Sequence, residues 1–457
     1  MIFKTLTGHN RYIWMVIKPL RISIRKLPVL VTFFSLSLIP ASAHNDRRKP
    51  ASEGKKNPWN NNRILSDSFI HRLLVLHPQY FSEILSKKKE AGLQIIYTRI
   101  DRTKKNKPSF TDHYFGIDSG NYFYPASTVK LPVAILALQR LNELNIAGLN
   151  KNSTMVTSDA GERLSGVAND PSAPDGRPTV GHYIKKILLV SDNDAYNRLY
   201  EFLGQEYINN SLQKMGYNNT QIIHRLSISL SDQENRLANA VIFIDSAGKV
   251  LYRKPAEISK QQYKTRIIKM GKGYMRGNEL VNEPFDFSYK NALPLQDLHQ
   301  IVKSIIFPEA MPEEKRFNLT EEDYVFLRRY MSMLPGESVY PKYESSSYWN
   351  HYVKFLFYGS EKSTANPRIR IFNKVGNAYG FLVDAAYFAD FENNIEFLLS
   401  AVIYCNSDGI FNDDKYDYEK VGLPFLKNLG RVIYEYELNR RRKNIPDLHA
   451  FQFTYRE

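Results

Sequence analysis

FYPASTVKLPVAILAL, residues 123–138, runs from an aromatic, strand-like approach into a strongly apolar helix pattern. Ser127 and Lys130 stand three residues apart at its start, a spacing that puts both on one helical face. Either the pair decorates an ordinary helix end, or the helix exists to hold it. A serine in a first turn meets the positive helix end and free backbone N–H groups. Serine attacks poorly until a neighbour takes its proton, and a desolvated lysine can be that base. Pro132 suits a helix that begins shortly before it, where a missing N–H costs little. The spacing alone decides nothing, because it recurs at Ser23–Lys26, Ser52–Lys55, Ser86–Lys89, Ser211–Lys214 and Ser246–Lys249. Context sets Ser127 apart: burying Lys130 without purpose would cost several kcal/mol.

Two later motifs bear on the choice. Ser191-Asp192-Asn193 follows the apolar run KKILLV and precedes DAYNRLYEFLG. By itself it reads as an N-cap and an Asx-type turn between helices. As part of a site, its hydroxyl and amide would relay a proton and hold a substrate amide. Lys374-Val375-Gly376 lies in the strand pattern RIRIFNKVGNAYGFLVD, where a glycine lets another group approach the backbone. The same tripeptide occurs at Lys420-Val421-Gly422, and a solvated strand end is the plain reading of Lys374.

Around these motifs, SDSFIHRLLVLHPQYFSEILSKKK carries helical spacing, with Ser66 or Asp67 as N-cap. LQIIYTRID alternates as a strand, and HYFGIDSGNYFYP continues as hairpin-like chain. Residues 127 to 230 read mainly helical. NAVIFIDSAGKVLYRKP reads as strand–turn–strand, followed by helical patterns at LQDLHQIVKSIIF and EEDYVFLRRYMSML. RIRIFNKVG, YGFLVDAAYF and IEFLLSAVIYCN read as strands, and LPFLKNLGRVIYEYEL as a closing helix. This order predicts an α+β fold, with an antiparallel sheet built from both chain ends packed against a mainly helical subdomain.

Taken in order, the three motifs resemble the penicillin-recognising serine hydrolases, and most closely class A β-lactamases. The match is carried by FYPASTVKLPVAILAL and VGHYIKKILLVSDNDAYNRLYEFLG, and it covers residues 64–440. The resemblance implies Ser127 as nucleophile, Lys130 as base or relay, and Ser191 as proton donor to the leaving nitrogen. It implies that Asn193 holds the substrate side chain and that Lys374 raises the local positive potential. Gly376 would admit the substrate beside the strand, and the N–H groups of Ser127 and Asn377 would form the oxyanion hole. No metal or cofactor is implied. Two positions depart from the pattern. The family places a carboxylate-binding hydroxyl where Val375 stands, and a deacylating glutamate just past an arginine. Arg225 in QKMGYNNTQIIHRLSISL is followed instead by Leu226 and Ser227, leaving Glu234 as the candidate deacylation acid. The distance from Ser127 to Lys374 also exceeds the family's usual one, which implies an insertion within 236–366.

Composition bounds the rest. A chain of 457 residues, 43% hydrophobic and 13% aromatic, is globular. The net charge of +15 favours anionic surroundings, yet no nucleic-acid-binding signature accompanies it. Residues 1–43 read as a signal peptide: Lys18, Arg21, Arg25 and Lys26, then LPVLVTFFSLSLI, then a cut after Ala43. An uncleaved anchor and a start at Met15 stay open. Residues 44–63 read as a polar linker and 441–457 as a basic C-terminal tail. The lone Cys405 allows no internal disulfide or thiolate zinc cluster. The expectation is a periplasmic or secreted monomeric serine acyl hydrolase acting on a small-molecule or cell-wall-derived amide or acyl substrate. It has no nucleic-acid partner and no stable membrane span after signal cleavage. β-Lactam catabolism is one candidate role. The alternatives are a D,D-peptidase-like penicillin-binding enzyme and a binding protein that kept the fold.

Overall fold

The strand patterns from both ends of the chain meet in one sheet. In the computed structural model, which describes residues 65–455 apart from 119 and 160–163, β1 (Gln94–Arg102) and β2 (Pro108–Phe115) form a hairpin. Far along the chain, β3 (Ile369–Ala378), β4 (Phe381–Asp390) and β5 (Ile395–Tyr404) form a meander. β5 pairs with β1, so the order is β3-β4-β5-β1-β2, antiparallel throughout. β4 is buried at every residue and β5 at all but its last, which explains their near-continuous apolar runs. The signal peptide and linker expected at 1–43 and 44–63 lie outside the described residues.

One face of the sheet is covered by α1 (Ser68–Val75), α2 (Pro78–Ser86) and the long α10 (Leu423–Asn439), with residues 353–358 in the same apolar cluster. Asp67 caps α1, accepting from the Phe69 N–H at 2.8 Å. The other face carries the helical subdomain. α3 (Lys130–Leu144) is buried without a break from Lys130 to Gln139, and so has no solvent stripe. Around it stand α4 (Val180–Val190), α5 (Asn193–Leu203), α6 (Gln205–Lys214) and the short α7 (Asp232–Arg236). α8 (Leu295–Ile306) lies on the sheet and α9 (Glu321–Ser332) completes the layer. His299 on α8 fixes that packing: its ring nitrogens sit 2.8 Å from Thr98 Oγ1 and 2.8 Å from Ser400 Oγ. Burial pushes this imidazole down to about 4, so it is neutral. The fold is α+β, as the element order predicts.

Two regions differ from expectation. Residues 441–455 do not form a tail: Leu448 and Phe451 are buried, and the Phe451 ring packs on Tyr387 at 4.9 Å and Phe307 at 6.0 Å. The basic residues at 440–443 masked this apolar return, and two of them, Arg440 and Arg442, pair with the buried Glu437. Within 236–366, the expected hairpin forms as Val241–Ile244 and Val250–Lys254, but it pairs with Thr154–Thr157 in a separate small sheet. Among the described residues no helix is long and apolar enough to cross a membrane.

Candidate active site

Ser127 lies in a single 3-10 turn, Ala126–Val129, that feeds directly into α3. Thr128 closes the turn through its N–H and its hydroxyl, both donating to Pro125 O at 3.1 and 2.6 Å. Ala126 pays for the tight geometry with a φ of +48°, a left-handed conformation that costs an alanine about 1–3 kcal/mol. The strain sits on the residue before the half-buried Ser127 hydroxyl.

Lys130 is fully buried at the first residue of α3. Its Nζ lies 2.9 Å from Ser127 Oγ, 3.2 Å from Ser191 Oγ and 2.7 Å from Asn193 Oδ1, and also bonds Ser191 O. An ammonium has three protons for these four oxygens, whereas a neutral amine donates to two and accepts the Ser127 proton. Burial first, then the neighbouring Lys374, pushes this ammonium well below the ordinary lysine range, with Asp192 pulling the other way.

The α4–α5 junction explains how Ser191 and Asn193 reach it. Ser191 ends α4 at φ +61°, and Asp192 caps α5 by accepting from the Ala195 N–H at 2.8 Å. The cap belongs to Asp192, which leaves the side chains on either side of it for the site. Lys374, on β3, donates to Ser191 Oγ at 2.7 Å and to Val375 O at 2.9 Å. Its burial brings it down to about 7, with Asp384 raising it and Lys354 lowering it.

β3 is an edge strand of the sheet. Ile371 O and Val375 O accept from Lys354 and Lys374, so odd-numbered residues turn their backbone groups to the open edge. By the two-residue period, the Asn377 N–H faces that edge too. Gly376 has a task beside the one expected. A Cβ there would stand 2.6 Å from Pro125 O and 3.1 Å from Ser127 N, so the glycine admits the nucleophile's own turn.

Arg225 closes the loop that follows α6. Its buried guanidinium donates to Leu237 O at 2.7 Å, approaches Glu201 at 3.4 Å and lies over the Tyr200 ring. Leu226 and Ser227 consequently line the cleft, with Ser227 at φ +56°. Glu234 is not placed as a deacylation acid. It is the third residue of α7, accepts from the Ser231 N–H at 2.6 Å in a capping box, and is not among the residues lining the cleft. Helix capping accounts for this carboxylate.

Ser127, Ser191, Asn193 and Asn377 open onto one cavity of about 640 Å³. Trp349, Tyr352 and Phe355, from the region of the implied insertion, form part of its wall. Among the described residues no group of three or more His, Cys, Asp or Glu is placed to hold a metal ion.

Residues 81–255, which include the Ser127–Lys130 and Ser191–Asn193 motifs, match the model of the β-lactamase enzyme family. Over that segment the chain is similar to β-lactamases. Solved structures similar to it include a class A β-lactamase of Clostridium kluyveri, at 15% identity and a TM-score of 0.43 over 78% of this chain and 98% of that one. Others are a β-lactamase of Xanthomonas campestris, at 12% and 0.43 over 79% and 98%, and PBP-A, at 14% and 0.42 over 82% and 98%. No curated protein sequence matches it.

Sequence reasoning missed a further buried lysine beside Lys130 and Lys374. Lys354 Nζ donates to Met331 O at 2.9 Å, Ile371 O at 2.8 Å and Asn373 Oδ1 at 2.6 Å. Asn373 donates in turn to Asp384 Oδ1 at 2.8 Å, and Asp384 Oδ2 accepts from the Phe355 and Leu356 N–H groups. The only signal was a lysine inside the aromatic run YWNHYVKFLFYG.

Proposed function

We propose that the protein is an exported serine acyl hydrolase that works through an acyl-enzyme on Ser127. The observation that carries this reading is the buried Lys130 Nζ, 2.9 Å from Ser127 Oγ and held off the ordinary lysine range. In the proposed cycle Ser127 Oγ attacks the substrate carbonyl while its proton passes to neutral Lys130. The developing oxyanion is received by the Ser127 and Asn377 N–H groups. Collapse breaks the bond to the leaving nitrogen or oxygen, which takes a proton through the Ser191 hydroxyl; Lys130 resupplies it. Lys374 orients that hydroxyl, and Asn193 positions Lys130 and the substrate amide. Water then releases the acyl group and regenerates Ser127. The basic segment, apolar run and Ala41-Ser42-Ala43 site support export to the periplasm or beyond. A small-molecule or cell-wall-derived amide or acyl compound is the proposed substrate.

Leu226 and Ser227, where the resemblance puts the deacylating carboxylate, favour slow release. A positioned acid–base group contributes roughly 100- to 10,000-fold. The cycle therefore accumulates acyl-enzyme, as in a penicillin-binding peptidase. Stopped-flow turnover of a chromogenic acyl substrate tests this: a burst near one equivalent followed by a slow steady state supports it. A linear trace identical with Ser127→Ala contradicts it.

A further inference from the structure

The cleft beside β3 carries a built wall that bears on which substrates it accepts. Val375 occupies the strand between Lys374 and Gly376 and is buried in one apolar cluster with Val353, Phe355, Leu382 and Leu423. The segment bringing Tyr352, Val353 and Phe355 to this place is clamped, not loose. Lys354 ties it to β3 and α9 through Ile371 O, Asn373 Oδ1 and Met331 O. Asp384, the cross-strand partner of Val375, holds it through the Phe355 and Leu356 N–H groups at 3.2 and 3.0 Å.

This clamp consumes the donors that an anion would need. The Lys354 ammonium lies 1% exposed with three acceptors around it, and the Phe355 and Leu356 amides are committed to a carboxylate. Lys374 is committed to Ser191 Oγ and Val375 O. Val375 offers methyl groups only. Among the described residues lining the cleft none is lysine or arginine, while Asp414 and Glu419 stand on it as exposed carboxylates. Lys362 rests on the outer wall, over the Trp349 ring and 4.8 Å from its centroid.

We propose that this cleft selects acyl substrates with no carboxylate beside the scissile bond: neutral amides or esters whose apolar group rests on Val375 and the Tyr352–Phe355 wall. The inference rests on the acyl-hydrolase reading above and narrows it. A carboxylate moved here from water loses charge-stabilising hydrogen bonds and meets no lining cation to replace them, whereas an uncharged group of the same shape loses little.

The test uses a matched pair of N-acylglycyl thioesters, one ending in a free carboxylate and the other in its methyl ester, with the full chain at neutral pH. The methyl ester is expected to show a kcat/KM for acylation at least about tenfold higher, the scale of one hydrogen bond to a charged group. Val375→Thr, which adds a hydroxyl on the strand, should narrow that ratio several-fold. Glu419→Lys, on the exposed rim and tolerant of change, should narrow it too and serves if Val375→Thr fails to fold. Equal or faster acylation by the carboxylate in the wild type overturns the proposal and leaves the hydrolase reading standing. Failure of both thioesters to acylate Ser127 overturns the two together.

Discussion

Lys130 is the residue on which the site turns, because its burial serves no packing need that methionine would not meet. Lys130→Met should lower acylation of Ser127 by roughly 100- to 10,000-fold, read by rapid-quench mass spectrometry, while leaving the far-ultraviolet circular dichroism unchanged. Lys374 gives a pH signature. Its ordinary value of 10.5 falls to about 7 in the folded chain. Between those values the unfolded chain binds the extra proton, so this lysine's contribution makes stability rise with pH across that window. The stability of Lys374→Met relative to the wild type should therefore be highest below about pH 7 and decline steadily towards 10.5. Parallel denaturant titrations from pH 6 to about 10 read that difference, and a flat one would contradict a depressed Lys374. Gly376→Ala drives a methyl into Pro125 O and should cost about 1–3 kcal/mol while displacing Ser127.

At the scale of elements, the nucleophile turn, the α4–α5 junction and the edge strand β3 are separate pieces that α3 and the sheet bring to one point. The motifs on each were legible only in combination. Ser191-Asp192-Asn193 alone reads as a cap between helices and Lys374 as a strand end, and it was their order after the lysine of an apolar helix that marked a site. What Gly376 accommodates was not legible, since its neighbour is backbone from residue 125, far away in sequence. Nor was Glu234, because a capping carboxylate and a catalytic one look alike until the helix start is seen. The loop closed by Arg225 gives an element-scale prediction. Arg225→Met leaves Glu201 buried without that partner and should cost about 3–5 kcal/mol, measured by urea unfolding.

For the whole molecule, the sheet assembled from both chain ends was legible in the order of helical and alternating segments. The clamp on the cleft wall was not, because Lys354, Asn373 and Asp384 come from three segments, and each alone reads as an unremarkable polar residue among apolar ones. The aromatic run that carries Lys354 did mark where the wall would be. Lys354→Met should release residues 349–360 and speed their amide hydrogen exchange, with little change in β5. Its cost in stability should be about 1–3 kcal/mol from carbonyls left without a donor.

The central claim is that Ser127 takes an acyl group. Intact-mass spectrometry of the protein exposed to a neutral activated acyl ester and to a penicillin, followed by peptide mapping, tests it most directly. The account predicts an added mass of one acyl group on Ser127 from the neutral ester, slow to disappear and absent in Ser127→Ala. An unmodified Ser127 under both reagents, or a label that persists in Ser127→Ala, would contradict it.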